Sequence, residues 1–397
     1  MTMSSDRQNL SEMDKLALRA LAHYRDKTTD LADQQMRVPV SAYRDAALFA
    51  RQSPQIFKEL PLAFALSLEL PQAGSYVARR FMDIPVLLTR DAEGQVHGFL
   101  NVCRHRGAIL CADGGGTKGR FSCPYHSWTY NNQGTLIGVY GAEAFGDIDR
   151  EDFALTRLPC VEKYGIIWLC LDPDKPFDID AWLGDFSPRL DSLKLGSWFI
   201  HEIRHLDGPG WKAAMDGYLE VYHHDTVHGQ TVGQHTIGNL LVHDTYGPHQ
   251  RLTFARRNID DLDALERAGQ LAKGEAIQGE QYIRLIHSVF PNLSISGILG
   301  EHCLISQLEP AGGFDTTITR QYLLCMEEPQ TADQKKAAEL FSAMTLQAVR
   351  DEDYAIVQTI QDGLRSDANS HFVFGRNEPG LQHYHKMVER YGGTEHD

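Results

Sequence analysis

Two short motifs, Cys103-Arg104-His105 and Cys123-Pro124-Tyr125-His126, constrain this chain more than anything else in it. Each half offers one soft thiolate and one imidazole, and 17 residues separate the halves. Two thiolates on one iron and two imidazoles on the other is the ligand set of a mixed 2Fe-2S centre. Cys103, His105, Cys123 and His126 are therefore the candidate cluster ligands, carried on two short loops that face each other. Gly107, Gly114, Gly115, Gly116 and Gly119 supply the flexible connections such loops need. Zinc also accepts two Cys and two His. Zinc fingers usually place both Cys before both His, whereas here each half is mixed.

The remainder of the chain must house what the cluster serves. At 397 residues, 42% of them hydrophobic, it is long enough for two ordinary cores. Its formal net charge of −15 argues against nucleic-acid and anionic-membrane partners, which select basic faces. No stretch approaches the roughly 20 apolar residues that span a bilayer. The polar N-terminus lacks a signal-like apolar run, so a cytoplasmic location is expected. Seven cysteines favour metal or redox use over a disulfide framework. Of these, Cys111, Cys160, Cys170, Cys303 and Cys325 read as buried core thiols.

Along the chain, residues 10–28 have helical spacing, with Ser11 as a cap. Residues 38–172 carry short β-like runs split by turn signals. Asp172-Pro173-Asp174-Lys175-Pro176 is a polar junction. These features predict an N-terminal helical segment (1–37), a small β domain (38–172) and a larger domain (173–397). In the last, residues 198–206 read as a strand and 211–227 as helical. Residues 261–276 read as a polar surface loop or short helix. Further strand-like runs follow, and residues 331–364 form a long C-terminal helical stretch. A curved sheet closed by that helix fits the pattern.

A second metal site is expected after residue 210. Asp216, Glu220, Tyr222, His223, His224, Asp225 and His228 crowd one segment. Two imidazoles and a carboxylate on one face suit ferrous iron and leave positions open. On a regular helix His224 and His228 share a face, while His223 and His228 do not. A π-turn or a helix end would bring the second pair together.

With these motifs in hand, the sequence resembles the Rieske oxygenases, the α subunits of ring-hydroxylating and related oxygenases. The matching stretches are Asn101-Val102-Cys103-Arg104-His105-Arg106-Gly107-Ala108 and Cys123-Pro124-Tyr125-His126-Ser127-Trp128-Thr129-Tyr130. Respiratory Rieske proteins add two bridging cysteines; this chain has Ala108 and Tyr125 there. The resemblance implies an α+β chain, with an all-β Rieske domain and a helix-grip catalytic domain of antiparallel sheet and long C-terminal helix. It selects His223 and His228 as iron ligands, with Asp353 as the third. Asp351, Glu352 and Asp362 are rivals to Asp353. It implies that Glu220 links His126 of a neighbouring subunit to His223. Many members have Asn seven residues before the first His, where this chain has Asp216.

The implied cofactors are one 2Fe-2S cluster and one mononuclear Fe(II). The implied activity uses O2 and reductase-supplied electrons to hydroxylate or dihydroxylate an apolar, aromatic small molecule. An O- or N-demethylating monooxygenase is the alternative, with Glu rather than Asp at position 220 pointing that way. A pure electron carrier with a binding domain is a reading of another class. The implied assembly is a homotrimer, with or without a β subunit, because the two sites within one chain lie far apart. No Rossmann fingerprint or flavin motif is present, so the reductase or ferredoxin is expected on another polypeptide.

Two further patterns are weighed as decoys. His201-Glu202-Ile203-Arg204-His205 matches the zinc-protease spacing but sits in a β-like run. Leu219, Ile286, Phe290, Ile298 and Leu304, with Asn292 and His302, are the inward-facing pocket candidates.

Overall fold

The computed structural model describes residues 10–270, 277–297 and 301–393. They form two compact units. One comprises residues 50–198 with 391–393; the other comprises residues up to 49 with 199–390.

The first unit is β-rich. A five-stranded sheet runs in the order Arg157–Leu158, Val96–Leu100, Ile84–Arg90, Ser75–Phe81, Gly114–Thr117. A small antiparallel sheet of Arg120–Ser122, Thr129–Asn131 and Leu136–Gly138 lies next in sequence. Its core gathers Leu87, Phe99, Phe121, Trp128, Tyr130 and Leu136 around Cys103 and Cys123. The three successive glycines at 114–116 form an edge strand, not a phosphate loop.

The second unit is built on a seven-stranded antiparallel sheet. Its order is Phe199–Pro209, Thr316–Cys325, His302–Pro310, Leu293–Ser296, Ile283–Val289, His249–Arg256, Thr236–Tyr246. Thus the first strand in sequence and the second occupy opposite edges. At about 4.8 Å per strand, the connection from 210 to 235 must travel roughly 29 Å. That connection carries the His-rich segment. Its helix Trp211–Asp216 packs on strands at the sheet's first edge, and its helix His224–Val227 packs on the strand at the far edge. The topology thereby lays the candidate iron ligands across the sheet.

The C-terminal helical stretch is continuous: Ala332–Leu346 is α-helical, Gln347–Tyr354 is π-helical, and Ala355–Gly363 is α-helical again. Thr331 caps its start, accepting from the Gln334 N–H at 3.2 Å. Gly208 lets the first strand approach this helix, since a Cβ there would lie 2.6 Å from the Tyr354 ring.

The compact units divide differently from the expected boundaries at 37/38 and 172/173. The helix Glu12–Asp26 buries Leu16, Ala17, Ala20 and Leu21 against Leu240, Val242, Ala255 and Ile259 of the larger unit. Met36–Pro39 pairs with His371–Phe374 of that unit. Burial of one helix face and a closed strand ladder tie the N-terminus there, which polarity along the sequence does not reveal. Residues 173–198 belong with the cluster-bearing unit. Gly165 packs so tightly on Leu195 and Gly196 that a Cβ would lie 2.4 Å from the Gly196 nitrogen. The predicted surface segment 261–276 is in part the helix Ile259–Arg267; residues 271–276 lie outside the described residues.

Gly380 opens the helix Pro379–Tyr391 at a close crossing, where a Cβ would meet the Leu219 carbonyl oxygen at 2.4 Å. Backbone cannot yield as a side-chain tip can. Gly380→Ala is expected to destabilise the fold by about 1–3 kcal/mol, read as a lower urea midpoint at unchanged slope.

Candidate active site and cluster site

The cluster loops are built alike. Cys103 donates its N–H to the Ala108 carbonyl (2.8 Å) and accepts from Gly107 N–H (2.9 Å). Cys123 donates to Trp128 (2.8 Å) and accepts from Ser127 N–H (2.9 Å). Gly107 (φ 75°) and Ser127 (φ 57°) occupy the equivalent left-handed position. Each loop thus turns its cysteine inward at the same point, while the imidazoles follow at different offsets, two residues on for His105 and three for His126. Cys103 and Cys123 are almost fully buried and free of disulfides. Burial first, then the neighbouring Cys123 thiol, holds the Cys103 thiol above its usual range, although the His105 N–H and Tyr130 hydroxyl oppose this.

The two imidazoles lie 4.8 Å apart, ring centre to ring centre. His105 stacks on Trp128 at 4.8 Å with the planes within 7°. Its Nδ1 is buried without a hydrogen-bond partner, which is costly unless another group satisfies it. Two free buried thiols and an orphaned inward ring nitrogen fit a 2Fe-2S group.

At the second site, His223 and His228 flank the four-residue helix His224–Val227 at its two ends. This is the helix-end solution to the five-residue spacing. The His223 and His228 Nε2 atoms lie 3.1 Å apart. Asp353 Oδ1 sits 3.4 Å from the first and 3.0 Å from the second. Each imidazole is held from behind by a carboxylate. His223 Nδ1–H donates to Glu220, and His228 Nδ1–H donates to Glu352 at 2.7 Å. Glu352 also accepts from Thr231 (2.5 Å) and Gln347 (3.1 Å). The π-helical turn aims two successive acids at one ring: Glu352 reaches its Nδ1 and Asp353 its Nε2.

Burial alone would push the His223 imidazole down, yet Asp353 and Glu220 push it up to about 10. His228 rises for similar reasons against its own burial. Asp353 is lowered by the two rings although burial opposes this. The arrangement favours positive charge at the point where the three donor atoms meet, and a divalent ion held by His223, His228 and Asp353 would supply that charge in place of the ring protons. His224 is also within 4.8 Å of His223 and His228. Its imidazole is pushed far down, by burial and then by His223 and His228, and it packs edge-on against Phe254. Asp353 is the better third donor, because its oxygen already contacts both Nε2 atoms.

Of the rivals, Glu352 is the carboxylate behind His228, and Asp351 pairs outward with Arg350 at 2.6 Å. A cavity of about 510 Å³ reaches His223, Asp353 and Glu220. It is also lined by Asp216, Glu378 and Tyr43, with Ile356, Ile360 and Val373 exposed at its rim. The pocket candidates Leu219, Ile286, Phe290, Leu304 and Asn292 are buried, but none lines this cavity. His302 stacks on Phe341 instead, and Ile298 lies outside the described residues. The protease-like His201 and His205 lie on the strand Phe199–Pro209, as its β-like surroundings predict. Among the core thiols, Cys160 is only partly buried. Sequence reasoning missed Tyr43, Glu378 and His385, which no local motif marks.

Comparison with known proteins matches residues 61–149 to the Rieske [2Fe-2S] domain and residues 197–393 to the ring hydroxylating alpha subunit (catalytic domain). The chain is 24% identical to the glycine betaine monooxygenase oxygenase subunit of Chromohalobacter salexigens, covering 90% of this chain and 87% of that one. It is 24% identical to the carnitine monooxygenase oxygenase subunit of Acinetobacter baumannii, covering 89% and 94%. The biphenyl 2,3-dioxygenase subunit alpha of Rhodococcus jostii is 30% identical over 50% of this chain and 44% of that one. Crystal structures of the quaternary ammonium Rieske monooxygenase CntA share the fold, with a TM-score of 0.77 at 21% identity over 91% of this chain and 96% of that one. Naphthalene 1,2-dioxygenase from Rhodococcus sp. gives 0.71 at 20% identity over 98% and 99%. Among the described residues, no helix is long and apolar enough to cross a membrane.

Carboxylates behind metal-binding imidazoles typically contribute 10- to 100-fold in affinity. Glu352→Ala is expected to weaken mononuclear iron binding by about that factor, with the visible spectrum of the cluster unchanged. Gly233→Ala tests the same site from below, since a Cβ there would meet the His224 and His228 carbonyl oxygens at 2.6 Å. Iron analysis should show loss of the single iron alone. The two matched domains and the shared fold classify the molecule: the chain belongs to the Rieske non-heme iron oxygenases, oxidoreductases that incorporate O2.

Proposed function

We propose that this chain is a terminal monooxygenase that hydroxylates a carbon bonded to nitrogen in a small quaternary-ammonium or N-methyl compound. The hydroxylated carbon then breaks its C–N bond. The observation that carries this reading is the pattern of likeness. Two relatives that align by sequence over about nine-tenths of the chain are monooxygenases named for glycine betaine and carnitine. Glu220, in place of the Asp usual in dioxygenases, favours the same side. Hydroxylation of an aromatic ring is the second reading, favoured by the half-chain match to the biphenyl enzyme.

In this reading Cys103, Cys123, His105 and His126 hold the cluster, and His223, His228 and Asp353 hold the single iron. When bound, the cluster supplies electrons one at a time and the single iron activates O2. Trp128 keeps one face of the His105 ring dry by stacking. Glu352 and Glu220 fix the ring tautomers, leaving each Nε2 free to point at the shared centre. Glu220 accepts from the Tyr222 and His223 N–H groups as well, which fixes its carboxylate behind the ring.

The chain acts as a homotrimer in the cytoplasm and is fed by a separate reductase or ferredoxin. The cavity beside Glu220 receives the cluster loops of a neighbouring copy. Among the described residues its wall holds Asp216, Glu220, Asp353 and Glu378 and no Lys or Arg. The cluster loops present exposed Arg104, Arg106 and Tyr125, opposite in charge and partly apolar.

The test is anaerobic reconstitution with iron, then aerobic turnover with a ferredoxin–reductase pair. Glycine betaine, carnitine and biphenyl would be supplied, and products identified by mass spectrometry. A C–N-cleaved product supports the proposal; oxygenated biphenyl alone overturns it. Glu220→Gln is expected to keep both iron centres but lower product formation about 10- to 100-fold, a typical effect for a group supporting a ligand.

A further inference from the structure

Oxygenation of either kind consumes O2, two electrons and two protons. In monooxygenation one oxygen atom enters the product and the other leaves as water; in dioxygenation both enter the product. The chain must therefore supply protons at the iron site, whichever substrate it takes. This inference rests on the oxygenase reading and concerns where those protons come from.

Four carboxylates face the cavity at the iron site: Asp216, Glu220, Asp353 and Glu378. Glu220 is committed to His223, and Asp353 lies between the two Nε2 atoms. Glu378 holds the Gly375 N–H at 2.5 Å. Asp216 differs, because its partners are themselves proton carriers. One of its oxygens accepts from the Tyr43 hydroxyl at 2.6 Å. The other accepts from His385 Nε2–H at 2.9 Å. The hydroxyl lies 3.1 Å from that same nitrogen. Tyr43 and His385 are only 5% and 3% exposed, while Asp216 between them is partly exposed and lines the cavity.

The Tyr43 phenol is pushed well above its usual range, by burial and then by Asp216. It keeps its proton and orients the carboxylate. The movable proton is the one shared by Asp216 and His385. The charged and titratable groups facing this pair are few. Lys212, one turn earlier on the same helix, is pushed down to about 8, chiefly by burial. Glu220 lies four residues beyond the end of that helix, and Glu378 and Tyr384 flank the pair.

We propose that Asp216 and His385 form a proton store for the reaction. A proton on the His385 imidazole crosses the 2.9 Å hydrogen bond to Asp216. His385 starts as the doubly protonated imidazolium: its Nε2–H bond breaks as a carboxyl O–H bond forms on Asp216, the ring is left neutral with its proton on Nδ1, and Asp216 then releases that proton, one of the two consumed, into the cavity. Cavity water restores it after turnover. A docked neighbour would exclude bulk water from this cavity, which is when a built-in store matters.

The test uses the full holoenzyme and has two readouts. The first is the infrared difference spectrum on reduction, recorded in H2O and D2O. Adding electrons draws compensating positive charge toward the cavity. A deuterium-sensitive carboxyl band is expected in the wild type and should vanish in Asp216→Asn. It should persist in Glu378→Gln and Tyr43→Phe. The second readout is turnover. Asp216→Asn is expected to lose about 100-fold in rate, within the range for proton-transfer groups. Its cluster spectrum and iron content should stay unchanged, and added acetate should restore part of the rate. A band that survives Asp216→Asn, or disappears in Glu378→Gln instead, overturns the proposal. So does a rate loss that acetate leaves untouched, since that identifies a structural clamp. If the wild type makes no product from any compound tried, the proposed substrate class fails, while the infrared band still decides the proton store.

Discussion

The candidate iron site in the larger unit depends on one contact set: the Asp353 oxygen between the Nε2 atoms of His223 and His228, 3.4 and 3.0 Å away. The three groups come from the crossing segment and the C-terminal helix, which no local sequence rule joins. The sheet topology makes the crossing necessary, and the crossing brings both rings under the helix. The carboxylates behind the rings then decide which nitrogen faces inward. The proposed metal site is thus specified by four acid–imidazole contacts, not by its ligands alone.

The cluster unit follows another logic. Its ligand loops are local, each closed by hydrogen bonds within six residues of its cysteine. Local closure explains why this site is written so plainly in the chain. Two Cys-His motifs with glycines between them suffice to identify the chemistry, because little tertiary information is needed to build it.

The second site was legible only in part. Its His-rich segment is visible by composition, and a carboxylate partner could be sought on the C-terminal helix. The choice between His223 and His224 was not settled by spacing. It depends on the helix being only four residues long, which follows from tertiary packing. Glu352 was readable as a rival ligand but not as the group behind His228. That role depends on a π-helical turn which residue types do not announce. Tyr43 and His385 could not be found at all, because residues 43, 216 and 385 meet only after the N-terminal segment and the last helix have docked. The compact units depart from the expected boundaries at 37 and 172 for a related reason, since apolar faces and strand edges choose their partners across the whole chain.

The π-helical turn from Gln347 to Tyr354 also has a thermodynamic side. Wide turns have poorer backbone geometry than the α-helix on either side, so such a stretch persists where something else favours it. Here that something is the grip of Glu352 and Asp353 on the two rings. With the proposed iron bound, the dependence would run both ways: the metal site would keep the helix in its wide register, and the wide register would keep the metal site assembled. Metal occupancy and helix register are then linked equilibria, and slippage of the helix by one residue would be felt first as iron leaving the protein.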